Sequence, residues 1–511
     1  MTELAQLLDA TPGGGPDATP AEETAAGGVT VSGVSLTSAT VRPGDLFVAA
    51  PGARRHGIEF AADAVRAGAR AVLTDPTGRD RLPRSGAPVL VVDEPRRAAA
   101  TAAARIYGEP SRALDVVGIT GTSGKTTTSF LLRAALAAGG RAAGLIGTVG
   151  VFVGDQPAPS SLTTPEAPDL QALLAVMVEA AEDSAVMEVS SHALALRRVD
   201  GIEFAAAAFT NLSQDHLDFH DSLEDYFEAK ALLFDGRARR HFVVVDDEWG
   251  QELGRRLTGR SPDTVVTVAT NGSDAATWSV PEIEVRADGS TEFVAVGPAA
   301  GIGDPRAFHR VQMTCRIPGT YNVANAVLAL AIAVELGVPP GVAAAAIGQA
   351  QVPGRMERVD AGQRFLAVVD YSHKPAAVDG ALRALRPLTA GRLIIALGCG
   401  GDRDRAKRPL MGEVAARGAD VLIVTDDNPR SEDPGAIRAE MLAGARAAGG
   451  GADIVEVGDR AEAIRTAVSL AGPGDTVLVA GKGHETGQDV QGVVHPFDDR
   501  VVLRAAIEAA A

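Results

Sequence analysis

The string GITGTSGKTTTS, residues 118–129, follows the apolar run ALDVVGIT and leads into FLLRAALAAGGRAAG, whose apolar positions recur every three or four residues. That pattern predicts a strand, a glycine loop and a helix. Backbone N–H groups at a helix N-terminus form an anion site, a lysine at its edge adds a full charge, and the next hydroxyl can ligate Mg²⁺. Lys125 and Thr126 suit those two roles. The strict Walker pattern wants its first glycine five places before Gly124, where Ile119 stands, with Gly118 one place early. Gly118, Gly121 and Gly124 still let the backbone approach a phosphate closely. The expected ligand is a nucleoside triphosphate; the bland alternative, a glycine turn without ligand, sits poorly with the Lys-Thr that follows directly.

Two further stretches carry chemistry. MEVSSHALALRRVD places Glu188 at a strand end with Ser190, His192 and Arg198 after it, and FTNLSQDHLDFH packs Asn211, Asp215, His216, Asp218 and His220 into a short span. Carboxylate and imidazole downstream of a phosphate loop suggest Mg²⁺ ligation and phosphate contact, because Mg²⁺ keeps few protein ligands and shares the substrate's oxygens. The competing reading is a histidine-rich loop satisfied by its own hydrogen bonds. Near the C-terminus the clusters SHKP, GGDRDR, DNPR and GKGHE each follow a β-like run.

The elements that must position these residues alternate. Between Val29 and Glu94, GDLFVAA, RAVLTD and VLVVDE surround the helical FAADAVRAGA; the middle holds AVMEVS, AAAAFTNL and HFVVVDD and closes with YNVANAVLALAIAVELG. After VPGRMERVD come FLAVVDY, RLIIALGCG, VLIVTDD, DIVEVGD and DTVLVAGKG, separated by helical stretches. Such alternation implies mostly parallel α/β sheets, in which ligands sit outside the carboxyl ends of strands. At 511 residues the length prior is about three domains.

Composition narrows the function. With 48 basic and 65 acidic residues, net −17, nucleic acid and anionic membrane are disfavoured as partners, while a small anionic substrate needs only a local basic pocket. Two cysteines, Cys315 and Cys399, lack metal-site spacing and cannot form a disulfide framework, which suits a reducing compartment. The N-terminus MTELAQLLDATPGGGPDATPAEETAAGG has neither a basic start nor a long apolar stretch, and no run approaches membrane-span length. A soluble cytoplasmic protein with a Pro/Gly/Thr/Ala leader is expected.

In order along the chain stand RPGDLFVAAPG, GTSGKTT, LTTP, EVSSHAL, TNLSQDHLDFH, EAKALLF, PGTYNVANA, VPGRMERV, VDYSHKP, GCGGDRDRAKRPLMG, TDDNPRSEDP and GKGHET. Together they resemble the Mur ligase family, the ATP-dependent amino-acid ligases of peptidoglycan synthesis, and within it the members that add the third residue. The resemblance implies an N-terminal UDP-binding α/β domain over 1–98, a central P-loop ATPase-like parallel-sheet domain over 99–350 and a C-terminal Rossmann-like doubly wound domain over 351–511.

It implies ATP and Mg²⁺ as cofactors, with Gly121, Thr122, Ser123, Gly124, Lys125, Thr126 and Thr127 holding phosphates, and Thr126, Glu188 and His216 as metal ligands. Lys230, in DYFEAKALLF, matches a lysine that the family carbamylates; its carbamate would be an anion able to serve the metal, although a lone helix lysine is otherwise solvated surface. Lys125, Lys230, His216 and Glu188 form the implied catalytic set. Asn322, Asn325, Arg355, Asp370 and His373 match nucleotide positions. Leu36, Ser38, Ala53, Arg54, Arg55, Thr163, Thr164, Ser190 and Arg198 match contacts of UDP-MurNAc-L-Ala-D-Glu; Thr37 stands where relatives often have aspartate and Leu196 where some have glutamine. Arg403, Asp427, Asn428, Pro429, Arg430, Gly481 and Glu485 match amino-acid contacts, and members that add lysine usually lack the DNPR arginine.

The implied reaction adds meso-2,6-diaminopimelate to the D-Glu γ-carboxyl through an acyl phosphate, in a monomer without nucleic-acid or membrane partners. L-lysine or LL-diaminopimelate are the alternative amino acids. A folylpolyglutamate-type ligase shares the loop but not DNPR and GDRDR, a P-loop nucleotide switch would bind without ligating, and a dinucleotide oxidoreductase lacks its G-x-G-x-x-G fingerprint.

Overall fold

The run ALDVVGIT forms the strand Asp115–Thr120, and the helix Lys125–Ala138 starts five residues later. In this computed structural model residues 6, 8, 11–13, 29–52, 55–82, 86–160, 162–215, 219–273, 275–286, 289–298 and 308–510 are described, the side chains of 11–13, 308 and 309 excepted. The contacts divide the chain into two compact units: Met1–Lys125 with Gly140–Val243 and Asp247–Val266, and Thr126–Gly139 with Val244–Asp246 and Thr267–Ala511.

The first unit holds two sheets. In one, Gly33–Ser35, Asp45–Ala49, Ala71–Thr74 and Val89–Val91 run parallel, and Thr11–Gly13 adds an antiparallel edge. Its faces bury Leu46, Val48, Leu73 and Leu90 on one side and Phe47, Ile58, Val72 and Val89 on the other, the period-two alternation of strands covered on both faces. In the other sheet, Asp115–Thr120 lies between the parallel strands Ser184–Glu188 and Phe204–Phe209. The glycine loop therefore leaves the sheet flanked by the ends of the two strands that carry Glu188 and the FTNLSQ string, the placement expected of a ligand site in a parallel sheet.

In the second unit the strands Leu366–Asp370, Thr476–Ala480, Leu393–Leu397, Val421–Val424 and Asp453–Glu456 are parallel in that spatial order, and Glu357–Arg358 adds an antiparallel edge. Val369, Ile394, Ile423 and Val479 join helix residues Ile464, Leu503 and Ile507 in its core. The last strand inserts at the centre, so SHKP, GGDRDR, DNPR and GKGHE leave neighbouring strands at the same sheet edge.

Beyond those antiparallel edges, and the antiparallel strands Gly150–Val153 and Gln156–Ala158 beside Ala143–Gly147, two further departures from a mostly parallel reading appear. Ile283–Val285, Thr291–Pro298 and Phe308–Cys315 form an antiparallel set, whose central strand alternates buried and half-buried residues along TEFVAVGP. A second antiparallel pair joins Gly487–Val490 to Val493–Pro496 across Gln491 and Gly492, both at positive φ (54° and 78°), the backbone that a two-residue hairpin turn requires. Among the described residues no helix is long and apolar enough to cross a membrane.

Candidate active site

The glycine loop is tied down from the neighbouring strand. Thr122 N donates to Asn211 O (2.9 Å), Ser123 N to Asn211 Oδ1 (3.1 Å), and Thr210 Oγ1 to Ser123 O (2.6 Å). Gly121 has φ 143°, and a Cβ there would stand 1.9 Å from Thr210 Oγ1, so its lack of a side chain is a steric requirement. Gly118 does something else: it lies within the strand, and a Cβ would meet the Phe204 ring at 2.7 Å. Its place among the phosphate-approach glycines is thus corrected; it makes room for an aromatic ring in the core.

Both expected catalytic lysines reach this loop. Lys125 Nζ donates to Gly121 O (2.8 Å) and Thr122 O (3.1 Å), and Lys230 Nζ donates to Gly121 O (2.8 Å). Lys230 is only 1% exposed, in the last turn of the helix Leu223–Ala231, with its ammonium 4.3 Å from the Tyr226 ring centroid. The solvated-surface alternative fails for it. His216 and Asp218 lie outside the described residues. His220, by contrast, is buried between Asp225 Oδ2 (3.1 Å) and Ser191 Oγ (3.0 Å), which is the self-satisfied histidine that the competing reading anticipated.

Glu188 is buried, and its two oxygens accept from Thr148 N (2.9 Å) and Thr148 Oγ1 (3.1 Å). Thr148 Oγ1 also meets Thr163 Oγ1 (3.1 Å). Thr164 Oγ1 donates to Glu188 O (2.9 Å) and accepts from Ser190 N (3.1 Å), and Arg198 Nη1 donates to Thr164 O (3.0 Å). Arg198 pairs with Glu166 at 2.8 Å, and among the described residues its buried Nε has no partner. The structure thus brings Thr163, Thr164, Ser190, Arg198 and Glu188 into one network. Sequence reasoning missed Thr148 and Glu166 in it; neither carries a distinctive spacing. Leu36 packs against the N-terminal core, Ser38 opens a 3₁₀ turn capped by Thr37, and Arg55 pairs with Glu59 at 2.7 Å; Ala53 and Arg54 are outside the described residues.

In the second unit Thr126 Oγ1 accepts from Arg355 Nη2 (3.3 Å), and the Arg355 guanidinium lies 4.5 Å from the Tyr371 ring centroid. Asp370 accepts from Met356 N and Ser372 N (2.8 Å each). His373 Nδ1 lies 2.7 Å from Tyr371 O, so it must carry the proton, leaving Nε2 as the acceptor of the neutral ring. Burial first, then the cations Lys374, Lys407 and Arg355, push the His373 pKa down to about 3. Asn322 and Asn325 are buried and bonded to each other (3.0 Å), and Asn325 Oδ1 accepts from Thr128 Oγ1 (3.3 Å). Thr127 is also buried.

The DNPR and GKGHE loops interlock. Asn428 Nδ2 donates to Glu485 Oε2 (2.9 Å), and Gly481, at φ 115°, would place a Cβ 2.6 Å from Asp427 Oδ2. Arg430 adopts φ 52° and its Nη1 donates to Gly401 O (2.7 Å); Pro429 O comes so near Gly401 that a Cβ there would stand 2.0 Å from it. The hairpin clasps this loop: Arg430 N donates to Asp489 O (3.0 Å) and Gln488 Nε2 to Asp427 O (2.8 Å). Arg403 is exposed. Lys482, fully buried against Asn428 and Glu485, was not anticipated.

The donors fit Mg²⁺. Glu188 offers a carboxylate oxygen and Thr126, in the other unit, a hydroxyl oxygen, each the hard donor type that Mg²⁺ takes, and although no group of three or more His, Cys, Asp or Glu gathers among the described residues, a cation that keeps its waters and shares substrate oxygens needs none.

Three family models match in sequence: Mur ligase family, catalytic domain (residues 30–107), Mur ligase middle domain (119–333) and Mur ligase, glutamate ligase domain (354–483). The chain is 52% identical over 483 residues to the UDP-N-acetylmuramoyl-L-alanyl-D-glutamate–2,6-diaminopimelate ligase of Streptomyces avermitilis, covering 94% of this chain and 92% of that one. It is 49% identical over 511 residues to the protein of the same name from Streptomyces coelicolor (99% and 96% covered). A solved structure of a protein of that name is similar at TM-score 0.66 and 31% identity, covering 94% of this chain and 95% of that one. With these matches spanning the loop, the two strand-end networks and the interlocked C-terminal clusters, the chain belongs to the Mur ligase family.

Proposed function

We propose that this protein is an ATP-dependent ligase that joins 2,6-diaminopimelate to the D-Glu γ-carboxyl of UDP-MurNAc-L-Ala-D-Glu, forming ADP and phosphate. It works as a cytoplasmic monomer with three domains, 1–98, 99–350 and 351–511, supplying peptidoglycan precursor. The names of the relatives at 52% and 49% identity support the reaction. The observation that carries the substrate is the interlock of DNPR with GKGHE, which brings a guanidinium and a carboxylate onto loops that leave the two strands flanking Leu393–Leu397. Diaminopimelate has a second carboxylate and ammonium at its far end. A guanidinium fork binds a carboxylate through two parallel bonds, so Arg430 reads the far carboxylate and Glu485 the far ammonium.

A carboxylate is a poor electrophile and must first become an acyl phosphate. The loop from Gly121 to Thr127 and the Lys125 ammonium hold the ATP phosphates and offset charge on the transferred group, through N–H groups other than those of Thr122 and Ser123, which Asn211 takes. Mg²⁺, held by Thr126, Glu188, His216 and carbamylated Lys230, would add further charge neutralisation there. Thr163, Thr164, Ser190 and Arg198 hold the muramoyl dipeptide, with Leu36, Ser38 and residues 53–55 toward its uridine. Asn322, Asn325, Arg355, Asp370 and neutral His373 serve the nucleotide. The amine of diaminopimelate then attacks the acyl carbon, and phosphate leaves from the tetrahedral intermediate.

The test is a product assay. ADP and phosphate should form at full rate only when muramoyl dipeptide and diaminopimelate are both present, and lysine should substitute poorly. Equal rates with lysine would refute the substrate, and ADP release independent of both acceptors would refute the ligase reading.

A further inference from the structure

Lys482 is a charged side chain with no exposure at all, placed among the groups that would meet the amino acid. Its Nζ donates to Asn428 Oδ1 (2.8 Å) and Glu485 Oε2 (3.1 Å) and lies 3.9 Å from Asp427 Oδ1. Asn428 Oδ1 also accepts from Asp489 N (3.0 Å). With two donors on that oxygen, the Asn428 amide is fixed, and its Nδ2 must point to Glu485 Oε2. Oε2 is thereby doubly held, and among the described residues Oε1 of Glu485 has no partner.

The charges on the two loops can be summed. Asp427 and Glu485 are anions; Arg430 and Lys482 are cations. The buried pair Arg460 and Asp499 (2.7 Å) adds no net charge, although Arg460 also faces Asp427 and Glu485. A neutral set of four suits a neutral zwitterionic end, which is what diaminopimelate brings. Without Lys482 the set would carry net −1 and would suit an end bearing an ammonium alone, which is what lysine brings.

We propose that Lys482 is a specificity-determining positioning residue: its buried ammonium orients Glu485 and Asn428 and cancels one carboxylate, so that this site takes a zwitterionic side-chain end and rejects a cationic one. The inference rests on the diaminopimelate reading above. It assigns the rejection of lysine partly to charge balance and not to Arg430 alone.

The experiment compares wild type, Lys482→Met and Lys482→Arg, measuring kcat and KM for diaminopimelate, L-lysine and ATP, with thermal melts alongside. In Lys482→Met the ratio of kcat/KM for diaminopimelate over lysine should fall about tenfold to a hundredfold, the scale of one lost charged hydrogen bond. The change should lie in the amino-acid KM, with the ATP KM unmoved, and Lys482→Arg should recover much of the ratio. If Lys482→Met does not fold, Lys482→Gln, which keeps a donor without the charge, is read in its place with the same expectation. A ratio that stays put, or equal losses for both amino acids, overturns the proposal. A wild type that ligates neither amino acid overturns the function itself, so the two failures are distinct.

Discussion

Gly121 O accepts from Lys125 Nζ and from unmodified Lys230 Nζ, each at 2.8 Å, so the Lys125 charge stands at the loop proposed to hold phosphate. Lys125→Ala should therefore lose at least about a hundredfold in kcat, the scale of removing one preorganised charge from a transition state, while its melting temperature stays near wild type; near-normal turnover would sink the phosphate assignment. Lys230→Ala should be nearly inactive and regain activity with added short carboxylic acids, which would occupy the place of a carbamate. Absence of rescue, with an intact mass showing no added carbon dioxide on the wild type, would remove the carbamate. Arg430→Ala should lose most of its kcat/KM for diaminopimelate with the ATP KM unchanged, because breaking a buried charge pair on one side costs about 3–5 kcal/mol; unaltered diaminopimelate kinetics would refute its role. Lys125 was legible because Gly-Lys-Thr after a strand has one common use. Lys230 and Lys482 were harder, since nothing local in a sequence marks a lysine as buried: the burial comes from Gly121 O in one case and Asn428 in the other, more than fifty residues away.

The parallel strands were legible as apolar runs, and the rule that ligands gather at their carboxyl ends placed four clusters on one sheet edge in advance. What the sequence concealed was the clasp. The strands Gly487–Val490, half-buried, and Val493–Pro496, exposed, are short, and their pairing is fixed by two consecutive residues at positive φ, only one of them glycine. Equally hidden was Arg460, whose guanidinium binds Asp499 and donates to Asp426 O (3.2 Å) and Ala480 O (2.9 Å). It ties two helix starts to the strand ends from which DNPR and GKGHE depart. Both partners of this pair have 0% side-chain exposure, so removing one leaves the other uncompensated. Asp499→Ala should destabilise the protein by about 3–5 kcal/mol, read as a lowered urea midpoint, and should raise the diaminopimelate KM as the two loops lose their common anchor. A midpoint like that of wild type would show that the pair contributes nothing.

For the molecule as a whole, acid is the condition that exposes how the residues proposed to serve the nucleotide are held. His373 is half-buried beside Lys374, Lys407 and Arg355, with its Nδ1 proton committed to Tyr371 O, and its pKa falls from 6.5 to about 3. In the unfolded chain the same imidazole takes a proton below pH 6.5, while in the folded chain it does not until about pH 3. The unfolded state therefore binds more protons in that window, and stability must fall as the pH drops from 6.5 toward 3, by up to about 1.4 kcal/mol per pH unit from this group. Above pH 6.5 neither state is protonated there and the contribution is flat. From pH 7 to pH 5 the loss attributable to His373 should be about 2 kcal/mol. His373→Gln keeps a donor for Tyr371 O but cannot titrate, so its urea midpoint should move less with pH over that interval than the wild-type midpoint does, even if the variant is less stable at pH 7. The net charge of −17 and every carboxylate are common to both proteins, so the difference between the two pH profiles isolates the imidazole. Parallel profiles would mean that the ring is protonated in the folded state near its ordinary pKa, and that the Nε2 acceptor offered to the nucleotide is lost in mild acid.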